Sequence, residues 1–379
     1  MNDTFAVIYA EHGNPLLGDL ISRRCVSALP LAGRYRTIDV LLSNLAHSGI
    51  RNVGVIMQRN FQSLVEHISS GDAWDLNKKN GGISLLTPFD QGIGTELYHD
   101  VGDALFAKRY YLTRQRARYC LLLASDTIYR QDYNEMLEYH IDSGADMTLL
   151  YTKNSKVCLG DTSHLVHMGF GEDGWLNQVN YAKKDTKNGC FYVGACLVCK
   201  DILLRLMEDT ASMGHYSMIV DIISKAIEDY KVAGFEHKGY IGRLSTVKSY
   251  FDVMKDTINP SVRDELFFDQ SPVYTRVADA PPIRFLSSCA AENSVFGNGC
   301  TVKGRVRGSV LFRGVTVDEG ADVENCIIMQ DCQIGSGAVL KNVIADKGVI
   351  VESGSRLIGT PDSQLVIRKG TIVKGDYNE

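Results

Sequence analysis

The chain of 379 residues lacks long apolar segments and a strong excess of charge of either sign. No run approaches the roughly 18 consecutive apolar residues of a transmembrane helix, and the first residues do not join a basic segment to an apolar one. The net charge of -5 gives no general attraction to nucleic acid or to anionic lipid. These absences predict a cytoplasmic protein that binds neither nucleic acid nor a membrane.

The chain also lacks a spaced cysteine framework. Its ten cysteines are scattered, mostly within apolar runs, and only Cys196 and Cys199 form a C-x-x-C pair. That pair stands in "FYVGACLVCK", a strand-like run in which residues three apart face opposite sides, and no second pair completes a zinc site. The pattern predicts reduced, buried thiols that pack in the core rather than a metal or redox site.

Short apolar runs alternate with helix-period segments over the first 260 residues. "FAVIYA" precedes "TIDVLLSNLAHSG", and "CLLLAS" precedes "DYNEMLEYHIDSG". This alternation predicts βαβ units around a mostly parallel sheet, that is, a Rossmann-like α/β domain over residues 1–260. Gly49, Gly71 and Gly144 follow three of the helical segments, where a left-handed cap favours glycine.

From about residue 285 the helical period disappears and Val, Ile and Gly dominate. Apolar residues then recur every six positions, in one row of Cys326, Cys332, Ala338, Ile344 and Ile350 and in another of Ile328, Ile334 and Leu340. A six-residue period is typical of a left-handed parallel β-helix, whose repeated residues point into the stack. The alternative, a β-sandwich, would show turns every ~8 to 12 residues. We predict the β-helix over 285–379 and a linker over 261–284.

The first apolar run, Phe5 to Ala10, leads through a loop into a periodic helix. An α/β nucleotide-binding protein places its phosphate loop at this point. A phosphate cradle needs glycines and a positive charge, whereas this loop holds Glu11, His12, Asn14 and Pro15. The sequence therefore offers the frame of a nucleotide site without the groups that hold phosphate.

Three segments together carry a resemblance to a known family: "GRYRTIDVLLSNLAHSGIRNVGVIMQ", "ASDTIYRQDY" and "SVLFRGVTVDEGADVENCIIMQDCQIGSGAVLKNVIADKGVIV". Over nearly its whole length the chain resembles the ADP-glucose pyrophosphorylases, also called glucose-1-phosphate adenylyltransferases. Those enzymes join glucose 1-phosphate to ATP in glycogen or starch synthesis and release pyrophosphate. Such a site must hold two polyanions together, so it needs backbone donors, basic side chains and Mg²⁺.

Aligned with the family, the chain keeps the scaffold but loses groups that hold the phosphates. The family's Gly-Gly-x-Gly-Thr-Arg-Leu falls on residues 11–17, so Leu16 replaces the arginine and Pro15 removes a backbone donor. The family's Arg-Ala-Lys-Pro-Ala falls on residues 24–28, so Val26 replaces the lysine. The resemblance thus implies a site with little or no catalytic power.

The metal site is half present in the same alignment. Asp126 matches the family's Mg²⁺-binding aspartate at a strand end. The family's Trp-Arg-Asp-Val-Gly-Thr-Ile-Asp-Ser-Tyr falls on "IGRLSTVKSY", which puts Arg243 at the first aspartate and Lys248 at the second. A guanidinium there repels Mg²⁺, so Asp126 is either a vestigial metal ligand or a polar residue kept for the fold.

The sugar and nucleotide contacts are retained only in part. The family's Glu-Lys-Pro falls near "NYAKKDTK", which places Lys183 at the glutamate and Lys184 at the lysine. Its Trp-Tyr-x-Gly-Thr-Ala-Asp-Ala falls on "LYHDVGDA", retaining Tyr98 and Asp103, and its Ser-His-Asp-Phe-Gly falls on residues 215–219. Tyr98, Asp103 and Lys184 are therefore binding candidates, with core packing or helix capping as the alternative for Tyr98 and Asp103.

Basic residues also suggest an effector site. The family often binds sugar-phosphate or nucleotide regulators at its domain junction, which implies such a pocket among the following residues: Arg34, Arg36, Arg305, Arg307, Arg313 and Lys347. Arg34, Arg36, Arg313 and Lys347 are the main candidates. A solvated surface is the alternative.

The departures from the family pattern resemble those of the GlgD-type regulatory subunit of bacterial glycogen synthesis. We therefore predict a non-catalytic or weakly catalytic subunit that activates a homologous catalytic chain, in a heterotetramer with it or as a homo-oligomer alone. One alternative is an active ADP-glucose-forming enzyme with a rebuilt site, which would require ATP and Mg²⁺ and would draw on Lys183, Lys184, Arg243 or Lys248. The other is a β-helix acyltransferase, for which the repeat region is short.

Overall fold

The computed structural model describes residues 3–10, 13–78, 81–88, 98, 101–158, 161–183, 186, 188–212, 218–269 and 271–377. Helices and a mostly parallel sheet occupy the first part of the chain, and coils of short parallel strands occupy the last part. This confirms the predicted fold class. Within these ranges no helix combines the length and the apolarity needed to cross a membrane.

Thirteen strands belong to the α/β domain among the described residues. They are β1 (Thr4–Ala10), β2 (Pro30–Leu31), β3 (Tyr35–Arg36), β4 (Asn52–Met57), β5 (Gly82–Leu86), β6 (Tyr119–Ala124), β7 (Thr127–Ile128), β8 (Met147–Thr152), β9 (Val166–Phe170), β10 (Leu176–Tyr181), β11 (Cys190–Cys199), β12 (Val232–Glu236) and β13 (Gly242–Arg243).

The helices of this domain alternate with those strands. They are α1 (Thr37–His47), α2 (Gln62–Ile68), α3 (Val101–Ala107), α4 (Arg109–Arg114), α5 (Tyr133–Ser143), α6 (Lys200–Ser212), α7 (Met218–Asp229), α8 (Val247–Asp256) and α9 (Pro260–Phe267). Helix α5 ends at Gly144, whose φ of 66° supplies the left-handed cap that its glycine predicts.

Nine strands of the domain form one sheet. β10, β9, β11, β6, β1, β4 and β5 lie side by side, and β8 pairs with β11 and β12. β1 runs parallel to both β4 and β6, with Ile8 opposite Val55 and Leu123. Helices cover both faces of the sheet, so every residue of β1 is buried, as expected for a central parallel strand. The carboxyl ends of β1, β4 and β6 therefore meet at one edge.

The C-terminal domain is a three-sided parallel β-helix. Its first face contains β14 (Arg284–Phe285), β17 (Thr301–Val302), β20 (Thr316–Val317), β23 (Gln333–Ile334), β26 (Ile350–Val351) and β29 (Ile372–Val373). Its second face contains β15 (Ala290–Glu292), β18 (Arg305–Arg307), β21 (Asp322–Glu324), β24 (Val339–Lys341), β27 (Arg356–Ile358) and β30 (Asp376–Tyr377). Its third face contains β16 (Val295–Phe296), β19 (Val310–Leu311), β22 (Ile327–Ile328), β25 (Val343–Ala345) and β28 (Leu365–Ile367).

The inward rows follow the six-residue prediction only for part of each coil. Ile328, Ile334 and Leu340 are fully buried in the β-helix interior, as predicted. The next inward residue is Ala345 rather than a residue six positions on, because the step from the second face to the third is one residue shorter. The prediction that Ile344 and Ile350 point inward is therefore wrong. Ile344 packs against the α/β domain, and Ile350 is half-buried on the first face.

Asparagines form the corner at the short step. Asn293, Asn325 and Asn342 all have positive φ there, a conformation that asparagine tolerates better than most residues. The amide of Asn325 donates to Asn342, whose own amide donates to the carbonyl of Gly359 at 3.0 Å. Each corner thus hydrogen-bonds to the next coil, which fixes the register between coils.

The third face of the β-helix packs against the α/β domain. One buried apolar cluster joins Phe312, Met329 and Ile344 of that face to Tyr250 of α8 and Leu266 of α9. The same cluster includes residues from the loop after β1. The two domains therefore share a core at their junction.

Candidate functional site

The carboxyl ends of β1 and β6 are tied together by a short chain of hydroxyl groups. Ser27 Oγ donates to Ser125 Oγ at 2.7 Å, and Ser125 Oγ donates to the carbonyl of Tyr9 at 3.1 Å. Asp126 follows at the end of β6, half-buried, where parallel strand ends place ligand-binding groups. The structure thus puts the predicted Asp126 at the edge of the sheet that an active site would use.

The loop that stands in the place of the phosphate loop forms a 3₁₀ helix over Pro15–Ile21. Asn14 caps it, with its side-chain oxygen accepting from the backbone N–H of Leu16 at 2.9 Å. Leu17 and Leu20 are fully buried in the cluster shared with the β-helix. The segment therefore serves packing between the domains, and its backbone does not form a glycine-rich cradle.

The two positions at which the family carries cations have different surroundings. Leu16, at the arginine position, is 57% exposed. Its side chain brings no positive charge to that position. Val26, at the lysine position, is fully buried in the junction core. Glu11 and His12 lie outside the described residues.

The backbone of Arg243 lies next to that of Asp126 in the structure. β13 pairs antiparallel with β7, so Arg243 is opposite Thr127, and the N–H of Leu244 donates to the carbonyl of Asp126 at 2.7 Å. The guanidinium Nη1 of Arg243 donates to the carbonyl of Asp161 at 2.5 Å. A fixed cation therefore occupies the position of the aspartate that, according to the resemblance, would bind Mg²⁺ together with Asp126.

Asp161 links Arg243 to the loop after β1. Its Oδ2 accepts from Asn14 Nδ2 at 2.5 Å, and its side chain also accepts from the backbone and hydroxyl of Ser163. Burial alone would raise the pKa of Asp161, but the hydrogen bonds from Ser163 and Asn14 and the charge of Arg243 outweigh it and lower the pKa. Asp161 is thus ionised at neutral pH. We call Asn14, Asp126, Asp161 and Arg243 the strand-end site.

Sequence reasoning did not find Asp161 or its contact with Asn14. The two residues are 147 positions apart, and the segment around Asp161 has no periodicity that would place it at the sheet edge. The Asn14-Pro15 pair is the one local signal, because asparagine before proline is typical of a helix start.

The residues of the strand-end site do not fit Mg²⁺. Within the described ranges no group of three or more His, Cys, Asp or Glu side chains is placed to hold a metal ion. Lys248, at the position of the family's second aspartate, forms an ion pair with Asp252 at 2.5 Å. The carboxylates that Mg²⁺ requires are thus replaced by two cations, and each of these already binds another group of the protein.

The remaining substrate candidates are placed as follows. Tyr98 is 8% exposed, packs in the core cluster that includes Tyr9, and accepts a hydrogen bond from Gln58 at its carbonyl. Asp103 stands in the first turn of α3, and Lys183 is exposed. Lys184 and residues 215–217 lie outside the described residues, so the contacts predicted for them stay predictions.

A buried ion pair joins the domains beside the predicted effector residues. Arg24 is 4% exposed, and its Nη2 donates to both carboxylate oxygens of Asp346, at 2.7 and 2.8 Å. Burial and the charges of Arg36 and Arg24 lower the pKa of Lys347, next to Asp346, to about 8. The neighbouring cations thus repel one another across the junction.

The predicted effector residues form two pairs whose charges repel each other across the junction. Burial lowers the pKa of Arg36, whose Nη1 donates to the carbonyl of Ser63 and to its hydroxyl. Burial and the charge of Arg34 likewise lower the pKa of Arg313. The structure therefore groups Arg36 with Lys347 and Arg34 with Arg313.

Arg305 and Arg307 do not join this group. They lie on the second face of the β-helix, which is not the face that packs on the α/β domain. Arg305 pairs with Asp322 at 2.6 Å, and Arg307 pairs with Glu324 at 3.3 Å. Their charges are matched by carboxylates on the next strand, so they form a ladder of ion pairs between coils.

Comparisons with known proteins agree with this architecture. A family model described as "Nucleotidyl transferase" matches residues 17–157, and a model described as "GlmU-like, C-terminal hexapeptide" matches residues 281–369. A Bacillus cytotoxicus protein named glucose-1-phosphate adenylyltransferase is 29% identical over 374 residues, covering 96% of this chain and 98% of its own length. Proteins of the same name from Bacillus mycoides and Bacillus anthracis are each 27% identical, covering 98% of this chain and 95% of their own length.

Proposed function

Because the chain carries a nucleotidyl transferase domain and a hexapeptide domain, and is similar over almost its whole length to glucose-1-phosphate adenylyltransferases, we propose that it is a regulatory subunit of that enzyme. In this role it has little or no activity alone and activates a homologous catalytic chain. The single observation that carries the proposal is the guanidinium of Arg243, which binds the carbonyl of Asp161 and stands where the resemblance requires a metal-binding aspartate.

The physical reason lies in the charge that the reaction must stabilise. Transfer of a nucleotidyl group brings two phosphorylated substrates together, and each lost electrostatic contact costs about 2.7 to 4 kcal/mol of transition-state stabilisation. Leu16, Val26 and Arg243 represent three such losses. Even without strict additivity, the chain alone is expected to be severely impaired.

An active enzyme with a rebuilt site has less support. That alternative draws on Lys183, Lys184, Arg243 or Lys248 to contact phosphate. Arg243 already binds the carbonyl of Asp161, and Lys248 already binds Asp252. Two of the four cations available for rebuilding therefore have structural partners.

The junction cations complete the proposal. Arg34, Arg36, Arg313 and Lys347 would receive an anionic effector between the domains, where burial and the charges of Arg36 and Arg24 together lower the pKa of Lys347. An effector bound to both domains could alter the surface that the catalytic chain contacts. Under this proposal the complex is a heterotetramer.

The test is an assay of three samples: this chain alone, its catalytic homologue alone, and the two together. ADP-glucose formation from ATP and glucose 1-phosphate is measured, and size-exclusion chromatography follows assembly. We expect negligible turnover by this chain, co-elution of the two chains, and a higher rate for the mixture than for the homologue. Turnover by this chain at the rate of the homologue would refute the proposal, as would separate elution of the two chains.

A further inference from the structure

A cleft lies between α5, the end of β12 and α9, and contains none of the residues of the strand-end site. Its volume is about 570 Å³, which is in the usual range of ~300 to 1,000 Å³ for small-ligand sites. Gly234 and Phe235 of β12 and Glu135 and Tyr139 of α5 are among the residues that line it. Neither the resemblance nor the effector residues account for this cleft.

Aromatic side chains line one part of the cleft. The ring of Tyr139 is 5.4 Å from the ring of Phe235, and Tyr139 is 38% exposed. Tyr151 also lines the cleft and contacts the ring of Phe170. Gly234 makes this arrangement possible, because a Cβ at that position would approach Phe170 Cζ to 2.5 Å. Glycine at this position thus lets the rings of Phe170 and Tyr151 pack closely against β12.

Charged side chains of both signs line the remaining part of the cleft. The carboxylates Asp132, Glu135, Glu236 and Glu265 outnumber the cations Arg130 and Lys238. Burial lowers the pKa of His237, so that ring is neutral at pH 7. The cleft therefore carries a net negative charge.

Several of these polar groups already have partners within the protein. Glu236 pairs with Lys153 at 2.8 Å, and Asp132 caps α5 by accepting from the N–H of Asn134 at 2.9 Å. Glu135 and Lys238, by contrast, make no hydrogen bond within the part of the chain that the structure describes. One acceptor and one donor therefore remain for a ligand at the rim of the cleft.

The aromatic rings and the excess of carboxylates in the cleft favour an uncharged ligand that has both apolar and hydroxyl groups. A phosphorylated ligand would meet an excess of carboxylates, and a wholly apolar ligand would leave the polar groups without water or partner. A pyranose ring has an apolar C–H face that stacks on an aromatic ring, and hydroxyls that both donate and accept. Its hydroxyls can donate to Glu135 and accept from Lys238.

We propose that the cleft binds neutral glucose oligomers of the kind found at the ends of a storage glucan. The choice of glucose rests on the proposed function, because the product of that enzyme supplies glucosyl units to such a polymer. Bound there, the subunit would hold its complex close to the polymer that consumes the product.

The experiment is native gel electrophoresis of the full chain, alone, in gels with and without glycogen. We expect glycogen to retard the wild type, and Tyr139→Ala and Glu135→Gln each to raise the apparent dissociation constant at least fivefold. Tyr110→Ala is the matched control, because Tyr110 is 58% exposed at a different cleft, beside α4. That variant is expected to migrate like the wild type, and circular dichroism verifies that all variants are folded.

Three results would overturn the proposal: no retardation of the wild type, equal retardation of the wild type and Tyr139→Ala, or loss of retardation in high salt. The last result would mean that the chain binds charged groups rather than sugar, because salt screens ionic contacts. Maltotriose should compete with glycogen, whereas glucose 1-phosphate should not. Since the gels contain no partner and no nucleotide, failure of glucan binding and failure of the regulatory role are observed separately.

Discussion

At the scale of single residues, three positions carry other residues than the phosphate- and metal-binding groups that the resemblance implies. Leu16, Val26 and Arg243 were all identified from the sequence because they stand in segments whose order matches the family. The contact of Asn14 with Asp161 was not identified from the sequence. These two residues are distant in the chain, and neither belongs to a periodic segment. The sequence motifs thus show which phosphate- and metal-binding residues are absent. Only the fold shows which contacts are made at the same positions.

Arg243→Asp tests whether charge alone excludes the metal. The change restores the aspartate that the resemblance places at this position, and two carboxylates at a strand end are a common arrangement for a divalent ion. Titration with Mn²⁺, followed by electron paramagnetic resonance, should show binding at least tenfold tighter than in the wild type. Arg243→Asn is the control, because it removes the guanidinium without adding a negative charge. Equal affinity for Mn²⁺ in all three proteins would contradict this interpretation.

At the scale of elements, the alternation of apolar runs predicted the α/β domain, and the six-residue period predicted the β-helix. The error at Ile344 and Ile350 arose because a uniform period was applied to coils whose sides differ in length. The signal for the short side was present in the asparagines that recur at its corner, Asn325 and Asn342. Those residues mark left-handed turns, whereas the apolar rows mark only the interior.

Gly297→Ala tests the close approach of the β-helix to the α/β domain. A Cβ at Gly297 would lie 2.7 Å from the carbonyl oxygen of Gly33 and from the N atom of Arg313, both of them backbone atoms that cannot rotate away. We expect a loss of about 1 to 3 kcal/mol in unfolding free energy, as for other overpacked sites. We also expect the two domains to unfold separately in urea.

Two probes distinguish this outcome from simple destabilisation. Both tryptophans, Trp74 and Trp175, are in the α/β domain, so their fluorescence follows that domain alone, whereas circular dichroism follows both. The two transitions should separate in Gly297→Ala. They should coincide in Gly354→Ala, where a Cβ meets nothing within 4 Å and the cost comes only from a φ of +73°. Coincident transitions in both variants would contradict the prediction.

At the scale of the whole molecule, two ion pairs connect the domains in different surroundings. The pair of Arg24 with Asp346 is almost fully buried, whereas Arg368 is 76% exposed where it pairs with Asp19 at 2.8 Å. Neither pair was predicted, because each joins residues more than 300 positions apart. The shared apolar core at the junction likewise depends on tertiary structure that no local pattern reports.

Asp346→Asn is expected to destabilise the protein far more than Arg368→Ala. Removing the carboxylate leaves Arg24 buried without a counter-charge, and such a loss typically costs about 3 to 5 kcal/mol. The exposed pair is expected to contribute less than about 1 kcal/mol, because water and salt screen it. Urea denaturation of both variants measures the difference, and similar losses in the two would refute the argument.

The 3₁₀ helix over Pro15–Ile21 limits which residues position 26 can accept. A lysine at position 26 would now have to be buried within the apolar core that Leu17 and Leu20 share with the β-helix, and an unpaired buried charge is among the most costly changes a core can accept. A cation at position 26 is therefore compatible with this fold only if the junction between the domains is repacked as well. The packing that joins the two domains thus opposes the phosphate-binding lysine that the resemblance places there.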